Sequence, residues 1–573
     1  MGLRLKKATG EIIQKTDRDY VSYQLDGGTR RFGAPLGTNA GTFVKADEGR
    51  NCKVISNKPG DMNHLLLKKI MNSTNAITQH QSIRNSLPTP APALIVGAGP
   101  VGLTMAIELK RYGVPVRIID KAPARTDKSK ALVIWSRTLE LLDRSGGAAP
   151  FIAAGFKALA VNFIAHDKTI GRINMETIQS PYPFALMLPQ SETERLLDER
   201  LNSFGVVVER QVELASFTSK VDGVDVVLRH ADGREENVST DWLLGCDGAH
   251  SAIRHGLSAP FTGETMKADF MLADVHATGY RFPDSEVSVY WHRDGVFVIF
   301  PISPGRYRLI ADLPPTAGEH PPTPTLEQVQ SIVDNRGSSG MHIVNPIWLA
   351  GFRINGRKVA KYRWGRVFLS GDAAHVHSPA GGQGMNTGMQ DAFNLSWKLA
   401  MVIRRICGEH LLDSYSPERS GVGDEVLKGA ARLTEIGMMR NPVAQTIRNV
   451  IGQAILGLAP VQHALAANMS EVTIGYLQSP LNGPTFGRGQ KPGERVVPVA
   501  GQKPIGSGSR PQFAICAAES PAIAELIKGF AGLLDPVVRP PLVQDGIWLV
   551  RPDGYVACAG DNPTAISDYL KHL

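Results

Sequence analysis

The stretch Ala93-Leu94-Ile95-Val96-Gly97-Ala98-Gly99-Pro100-Val101-Gly102 constrains this chain more than any other. Four consecutive apolar residues are the signal of a buried parallel strand. Glycines at 97, 99 and 102 follow, then a helical pattern through Leu103, Ala106, Ile107 and Leu109 that closes at Tyr112-Gly113. A second apolar run, Val116-Arg117-Ile118-Ile119, ends in Asp120. Strand, glycine turn, helix, strand and acid within about 30 residues form a dinucleotide-binding unit. Gly97 allows the tight turn, Gly99 the approach of a pyrophosphate, and Gly102 the close packing of helix on strand. The phosphates are expected at the helix N-terminus, where free N–H groups and the dipole favour negative charge. Asp120, 23 residues after Gly97, suits a carboxylate that accepts hydrogen bonds from an adenosine ribose. Gly97, Gly99, Pro100, Gly102, Asp120 and Lys121 are the cofactor contacts expected here; the alternative is a purely structural glycine turn.

Composition narrows the remaining choices. The 573 residues suffice for about three or four domains. Apolar residues at 43% and charged residues at 20% are ordinary globular usage, which excludes disordered, collagenous and disulfide-scaffold classes. A net charge of +8 points first to nucleic acid. However, residues 1–90 hold 14 Lys/Arg against 7 Asp/Glu, whereas the rest holds 48 against 47. The near-neutral body offers no basic face to a phosphate backbone, so no nucleic-acid partner is expected. Cys52, Cys246, Cys407, Cys516 and Cys558 are widely spaced and form no C-x-x-C, which fits a reducing compartment and gives no metal signature. No apolar run reaches about 18 residues, so no membrane span is expected. The N-terminus lacks an apolar signal core and carries Glu11, Asp17 and Asp19, against a targeting peptide. The cytoplasm is the expected location.

The chain reads as α/β. Residues 1–90 have little apolar periodicity and are expected to be a weakly ordered basic extension, closed by the stiff segment Ser86 to Pro92. Residues 91–265 form the first part of the dinucleotide-binding domain. Residues 266–345 form an antiparallel sheet: Val287, Val289 and Trp291 alternate with polar neighbours, Asp294-Gly295 makes a turn, and Val296, Val298 and Phe300 alternate again. A third strand is expected at Tyr307–Ala311. Residues 346–420 return to the first domain, 421–480 are helical, 481–510 are a Gly/Pro-rich linker, and 511–573 are a small α/β domain.

Two further segments bear on the kind of dinucleotide. Gly245-Cys246-Asp247-Gly248 leads to Ser251-Ala252-Ile253-Arg254. Gly371-Asp372-Ala373-Ala374-His375 runs through Pro379 to Gly381-Gly382-Gln383-Gly384-Met385-Asn386 and the helix from Thr387 to Leu399. An acid at the end of strand 367–370 can accept from a ribityl hydroxyl. N–H groups at the helix start after Gly381–Gly384 would face the carbonyl of a flavin, if that is the dinucleotide, and favour negative charge on its ring. These motifs, with Lys130-Ala131, Arg137-Thr138-Leu139-Glu140, Pro189-Gln190 with Glu194, and Leu412-Asp413-Ser414-Tyr415, resemble the single-component (class A) FAD-dependent aromatic hydroxylases, the phenol-hydroxylase-like monooxygenases.

That resemblance implies a Rossmann-like FAD-binding domain of the glutathione-reductase type, arranged as in p-hydroxybenzoate hydroxylase. It also implies an inserted antiparallel substrate sheet and a C-terminal thioredoxin-like domain. It adds Lys130, Arg137, Gln190, Asp247, Gly371, Asp372, Pro379, Gly384, Met385 and Asn386 to the FAD contacts. The implied reaction hydroxylates a small phenolic or polyketide-like aromatic with O₂ and transient NADPH or NADH, through a flavin 4a-hydroperoxide. A homodimer is compatible with it. The chain departs from the family where related hydroxylases carry an Asp that assists phenol deprotonation: Leu132 stands there, and Trp135 replaces a frequent Gln or His. The catalytic base is therefore left unassigned, and His375 reads as a packing residue or a base. Another FAD enzyme of the same fold, a reductase or halogenase, and a non-catalytic flavoprotein are the alternatives; no W-x-W occurs to support a halogenase.

Overall fold

The computed structural model describes residues 92–573, except 128, 319–320 and 338–339, and six short strands nearer the N-terminus. Those strands belong to a separate unit, Met1–Thr89. They pair antiparallel as Leu5–Lys6 with Ile12–Ile13, Tyr20–Leu25 with Gly28–Gly33, and Thr42–Ala46 with Cys52–Ser56. The rest of the expected weakly ordered extension lies outside the described residues.

The second unit, Pro90–Leu573, is built on a six-stranded sheet. Its centre holds β1 (Ala93–Val96), β2 (Val116–Asp120), β3 (Trp242–Gly245) and β4 (Val367–Leu369), in the parallel order β2-β1-β3-β4. Glu209–Arg210 extends the β2 edge, and Arg363–Trp364 the β4 edge. Every residue of β1, β3 and β4 is buried, as a sheet covered on both faces requires. Helix α1 (Pro100–Arg111) crosses between β1 and β2 and packs against α2 (Gly384–Ile403). Leu103, Met105, Ala106 and Leu109 of α1 are fully buried, the larger ones contributing on the order of 2 kcal/mol each. The turn after α1 uses Gly113 at φ 76°, where a side chain is strained. Helix α3 (Tyr415–Gly437) follows α2.

The expected hairpin is present: Glu286–His292 pairs with Gly295–Ser303, which pairs with Arg306–Leu313. The sheet is wider than residues 266–345. It has eight strands, with Lys168–Asn174 and Ala160–Ala165 on one side and Thr262–Thr278, His342–Lys358 and His375–Val376 on the other. The two 17-residue strands carry the ladder well beyond the expected boundaries. One pairing, Ala160–Ala165 with Glu286–His292, is parallel and joins segments more than 120 residues apart, which local patterning does not reveal.

Past α3, helices Pro442–Leu456 and Ala459–Met469 fill the expected helical region. The C-terminal part has helices Pro521–Gly529 and Pro563–Lys571 and an antiparallel sheet, Ala514–Cys516, Ile547–Val550 and Val556–Gly560. The 481–510 segment has no regular element but is docked, not free: the Arg495 guanidinium donates to Glu140 at 2.8 Å. Arg551 and Asp553 at the tip of the 550–556 hairpin are buried against the first domain. Arg551 donates to Glu418 Oε1 at 2.7 Å, and Glu418 also accepts from Lys398 at 2.7 Å.

Candidate active site

The strand register explains why residues far apart in sequence meet. Val96 is level with Ile119, and Gly245 with both Val96 and Leu369. Three loops therefore leave the carboxyl edge of the sheet side by side: Gly97 to Gly99, Cys246-Asp247 and Ser370 to Asp372. Open parallel sheets bind ligands at that edge. The loops are tied directly, Gly97 N–H to Ile119 O at 2.9 Å, Cys246 N–H to Val96 O at 2.8 Å, and Ser370 N–H to Gly245 O at 2.9 Å.

The fingerprint glycines divide by cause. Gly97 has φ 99°, and a Cβ there would lie 2.3 Å from Cys246 O. A Cβ at Gly102 would lie 1.9 Å from Gly97 O. Packing forbids a side chain at both. A Cβ at Gly99 meets nothing within 4 Å, so the protein itself does not require this glycine; room for a ligand above the turn does. No side chain caps α1, leaving its first N–H groups free. The Asp120 carboxylate accepts from Ala98 N–H at 2.7 Å and Ala122 N–H at 2.8 Å, which fixes it beside the turn. Lys121 is exposed next to it.

Asp247 accepts from Ile253 N–H through one oxygen, whereas its buried Oδ1 has no protein partner. Burial raises its pKa, against the pull of Ser251 and nearby backbone N–H groups. Gly371 sits at φ 59°, where a Cβ would press on Val101 of α1 at 2.8 Å. Asp372 follows; its side chain reaches solvent at the cleft floor but is walled by protein. That surrounding raises its pKa, opposed by His375 and Lys130.

Beneath this loop lies a buried polar network that sequence reasoning missed. Asp391 of α2 accepts from Gly371 N–H and His375 Nε2, each at 2.9 Å, and from Arg419 at 2.6 Å. Burial would raise its pKa, but Arg419 and His375 outweigh that and hold it low. His375 is thus an orienting residue, bonded to Asp391. The signal for it in the sequence is Asp391 itself, a carboxylate inside the helix from Thr387 to Leu399. His377 lies beside the start of α2. Its Nδ1 lies 2.8 Å from Ser378 O, while its buried Nε2 has no partner and lies 3.6 Å from where a Cβ of Gly384 would stand. Burial, helped by His375, pushes its pKa down to about 4.

Helix α2 opens at Gly384 without a side-chain cap on Gln383. Asn386 braces its first turn: it accepts from Trp135 N–H at 2.9 Å and donates to Val133 O at 2.8 Å and Gly382 O at 3.0 Å. The Trp135 indole donates to Gly381 O at 2.9 Å. Gly382 N–H reaches back to the carbonyl of exposed Pro379, and Met385 packs partly buried against the core. On the opposite wall, Gln190 Oε1 accepts from Ala131 N–H at 3.1 Å. Arg308, paired with buried Asp274, donates to Lys130 O at 3.0 Å and ties the sheet to this loop. Arg137 stands apart. Its buried guanidinium holds Glu140 at 2.9 Å and Asp553 O at 2.7 Å in the C-terminal part.

Leu132, Val133, Trp135, Met187, Val287 and Ile302 share one apolar cluster, with Phe300 packed against it. Leu132 therefore sits in an apolar wall, where an unpaired carboxylate would be costly. Among the described residues no group of His, Cys, Asp and Glu is arranged to hold a metal, and no single helix is long and apolar enough to cross a membrane. The cleft fits FAD: two uncapped helix starts and the space above Gly99 offer N–H groups and room that the protein itself does not fill.

The comparisons agree with this geometry. The family model described as an FAD binding domain matches residues 90–430. The 6-methylpretetramide 4-monooxygenase of Streptomyces rimosus is 36% identical over 511 residues, covering 82% of this chain and 90% of the relative. Pentachlorophenol 4-monooxygenase of Sphingobium chlorophenolicum is 30% identical over 477 residues, covering 81% and 86%. The structure of OxyS anhydrotetracycline hydroxylase from Streptomyces rimosus superposes with a TM-score of 0.68 at 27% identity, over 84% of this chain and 99% of that one. The fold, the loop constellation and these relatives converge, and the chain belongs to the class A FAD-dependent aromatic monooxygenases.

Proposed function

We propose that the chain hydroxylates a phenolic or polyketide-like aromatic with O₂ and NADPH or NADH. The balance is ArH + O₂ + NAD(P)H + H⁺ → ArOH + H₂O + NAD(P)⁺. Bound FAD supplies the passage of electrons from the nicotinamide to O₂, chemistry that the protein's own side chains lack. The observation that carries the reading is the alignment of Gly97, Asp247 and Gly371-Asp372 at one sheet edge. Gly97, Gly99, Pro100 and Gly102 would hold the pyrophosphate, with Asp120 on the adenosine ribose. Asp372 would accept from the ribityl chain and Gln190 would face the flavin side. The N–H groups of Gly384 to Asn386 would offset negative charge on the ring.

The cluster around Trp135 and Val287 excludes water, which strengthens polar interactions inside the site. The C-terminal part is read as thioredoxin-like. Ala514–Cys516 is flanked on one side by parallel bridges to Leu534 and Arg539 and on the other by two antiparallel strands. Cys516 and Cys558 are buried and far apart in sequence, so its role is structural. A cytoplasmic location rests on the cysteine usage.

The test is NAD(P)H oxidation by the FAD-loaded chain against a panel of phenols and polyketides, with product mass spectrometry. The reading expects stimulation by at least one compound and a product heavier by one oxygen. If no compound gives either, it fails.

A further inference from the structure

The helix Pro442–Leu456 is amphipathic the wrong way round. Its inward face is polar: the buried Gln445 side chain donates to Arg293 O at 2.9 Å, and the buried Arg448 guanidinium lies over the Trp291 ring at 4.9 Å and donates to Ile436 O at 3.0 Å. Gly452 lets the backbone close on Trp291, where a Cβ would meet the ring at 3.0 Å. These contacts fix the helix's rotation and leave its apolar face outward. Val443 is 69% exposed, Ile447 53%, Val450 64%, Ile451 50% and Ile455 44%, and Leu458 just beyond is 54% exposed. Steps of four, three, one, four and three place all six on one stripe, with the small Ala454 inside it.

The six side chains present roughly 500–600 Å² of apolar surface. That is the upper end for the largest patch of a monomer, and most of the ~800 Å² that each partner gives to a standard interface. From Ile436 to Ser470 the sequence holds no Asp or Glu, and its only Lys/Arg residues are Arg440 and Arg448. Arg440 is paired with Asp312 at 2.9 Å, and Arg448 is buried. The stretch itself therefore brings no like charges together when two identical stripes meet. The stretch 441–470 also has no aromatic residue and, with Arg448 turned inward, no outward Lys or Arg to anchor it at lipid headgroups. We infer that this stripe is the contact between two copies of the chain, which pair antiparallel about a two-fold axis so that each copy offers the same face.

The test is sedimentation velocity of the full FAD-loaded chain up to about 100 µM, since such an equilibrium depends on concentration. Wild type should sediment as a dimer. The double variant Ile447→Glu, Ile451→Glu should be a monomer, its dimer dissociation constant raised at least about 100-fold by four facing carboxylates, with FAD content unchanged. Should that variant fail to fold, the milder Val450→Ser, Ile451→Thr variant reads the same equilibrium and should weaken it about 10-fold. A wild type that stays monomeric overturns the inference, as does a dimer that neither variant weakens. A monomer that floats with phosphatidylglycerol vesicles also overturns it, and marks the stripe as a membrane contact.

Discussion

Glu471 shows how much one buried carboxyl can influence. It has a positive φ of 61° and no exposed surface to speak of, and accepts from Thr387 Oγ1 at 2.8 Å and from Gln390 Nε2 on helix α2. Burial pushes its pKa up to about 8, against the pull of Thr387, Arg419 and Gln390. An acid whose folded pKa is raised binds a proton that the unfolded chain has already released. Stability therefore falls as pH rises from about 4.5 to about 8, by up to about 1.4 kcal/mol per pH unit, and then levels. Glu471→Gln should flatten that decline, so that its melting temperature relative to wild type improves between pH 6 and pH 8; a parallel decline in both proteins would refute the assignment.

Helix starts and strand ends are the elements that make the cleft, and their glycines separate two kinds of constraint. Gly97→Ala drives a Cβ into Cys246 O at φ 99°, so the apoprotein itself should lose about 2 kcal/mol or more, seen in thermal unfolding. Gly99→Ala meets nothing within 4 Å, so the apoprotein should melt near wild type while FAD affinity falls at least about 10-fold in a fluorescence titration. Equal effects at both positions would contradict this division. These elements were legible in the sequence because a strand, a glycine turn and an acid at fixed spacing have local causes. The 286–313 hairpin was legible for the same reason: alternation and Asp294-Gly295 specify it. The bracing of Gly371 by Asp391 was not legible, because a carboxylate inside an apolar helix declares its partners only when Arg419 and His375 arrive from other elements. The parallel partner of Ala160–Ala165 and the short strand Ala514–Cys516 were likewise hidden, one by distance along the chain and one by brevity.

At the scale of the whole molecule, the C-terminal part is bound to the first domain by buried charge. Glu418 accepts from Arg551 and Lys398, Arg551 also holds Asp553, and Arg137 donates to Asp553 O. Arg137, read from sequence as a flavin contact, also donates across this junction, a contact that becomes visible only with a residue 416 positions away. Arg551→Met leaves Glu418 and Asp553 short of a counter-charge and should cost about 3–5 kcal/mol in denaturant unfolding; a loss below about 1 kcal/mol would show that the junction does not depend on this network. The account's central claim is that FAD spans the carboxyl edge of the sheet, from Gly97 to the loop at Gly371. It is tested most directly by titrating FAD into the folded full chain and into Asp372→Ala. The expected result is one FAD per wild-type chain and affinity at least about 10-fold weaker in the folded variant. A folded wild type that takes up no FAD, or a variant that binds it just as tightly, would contradict the claim.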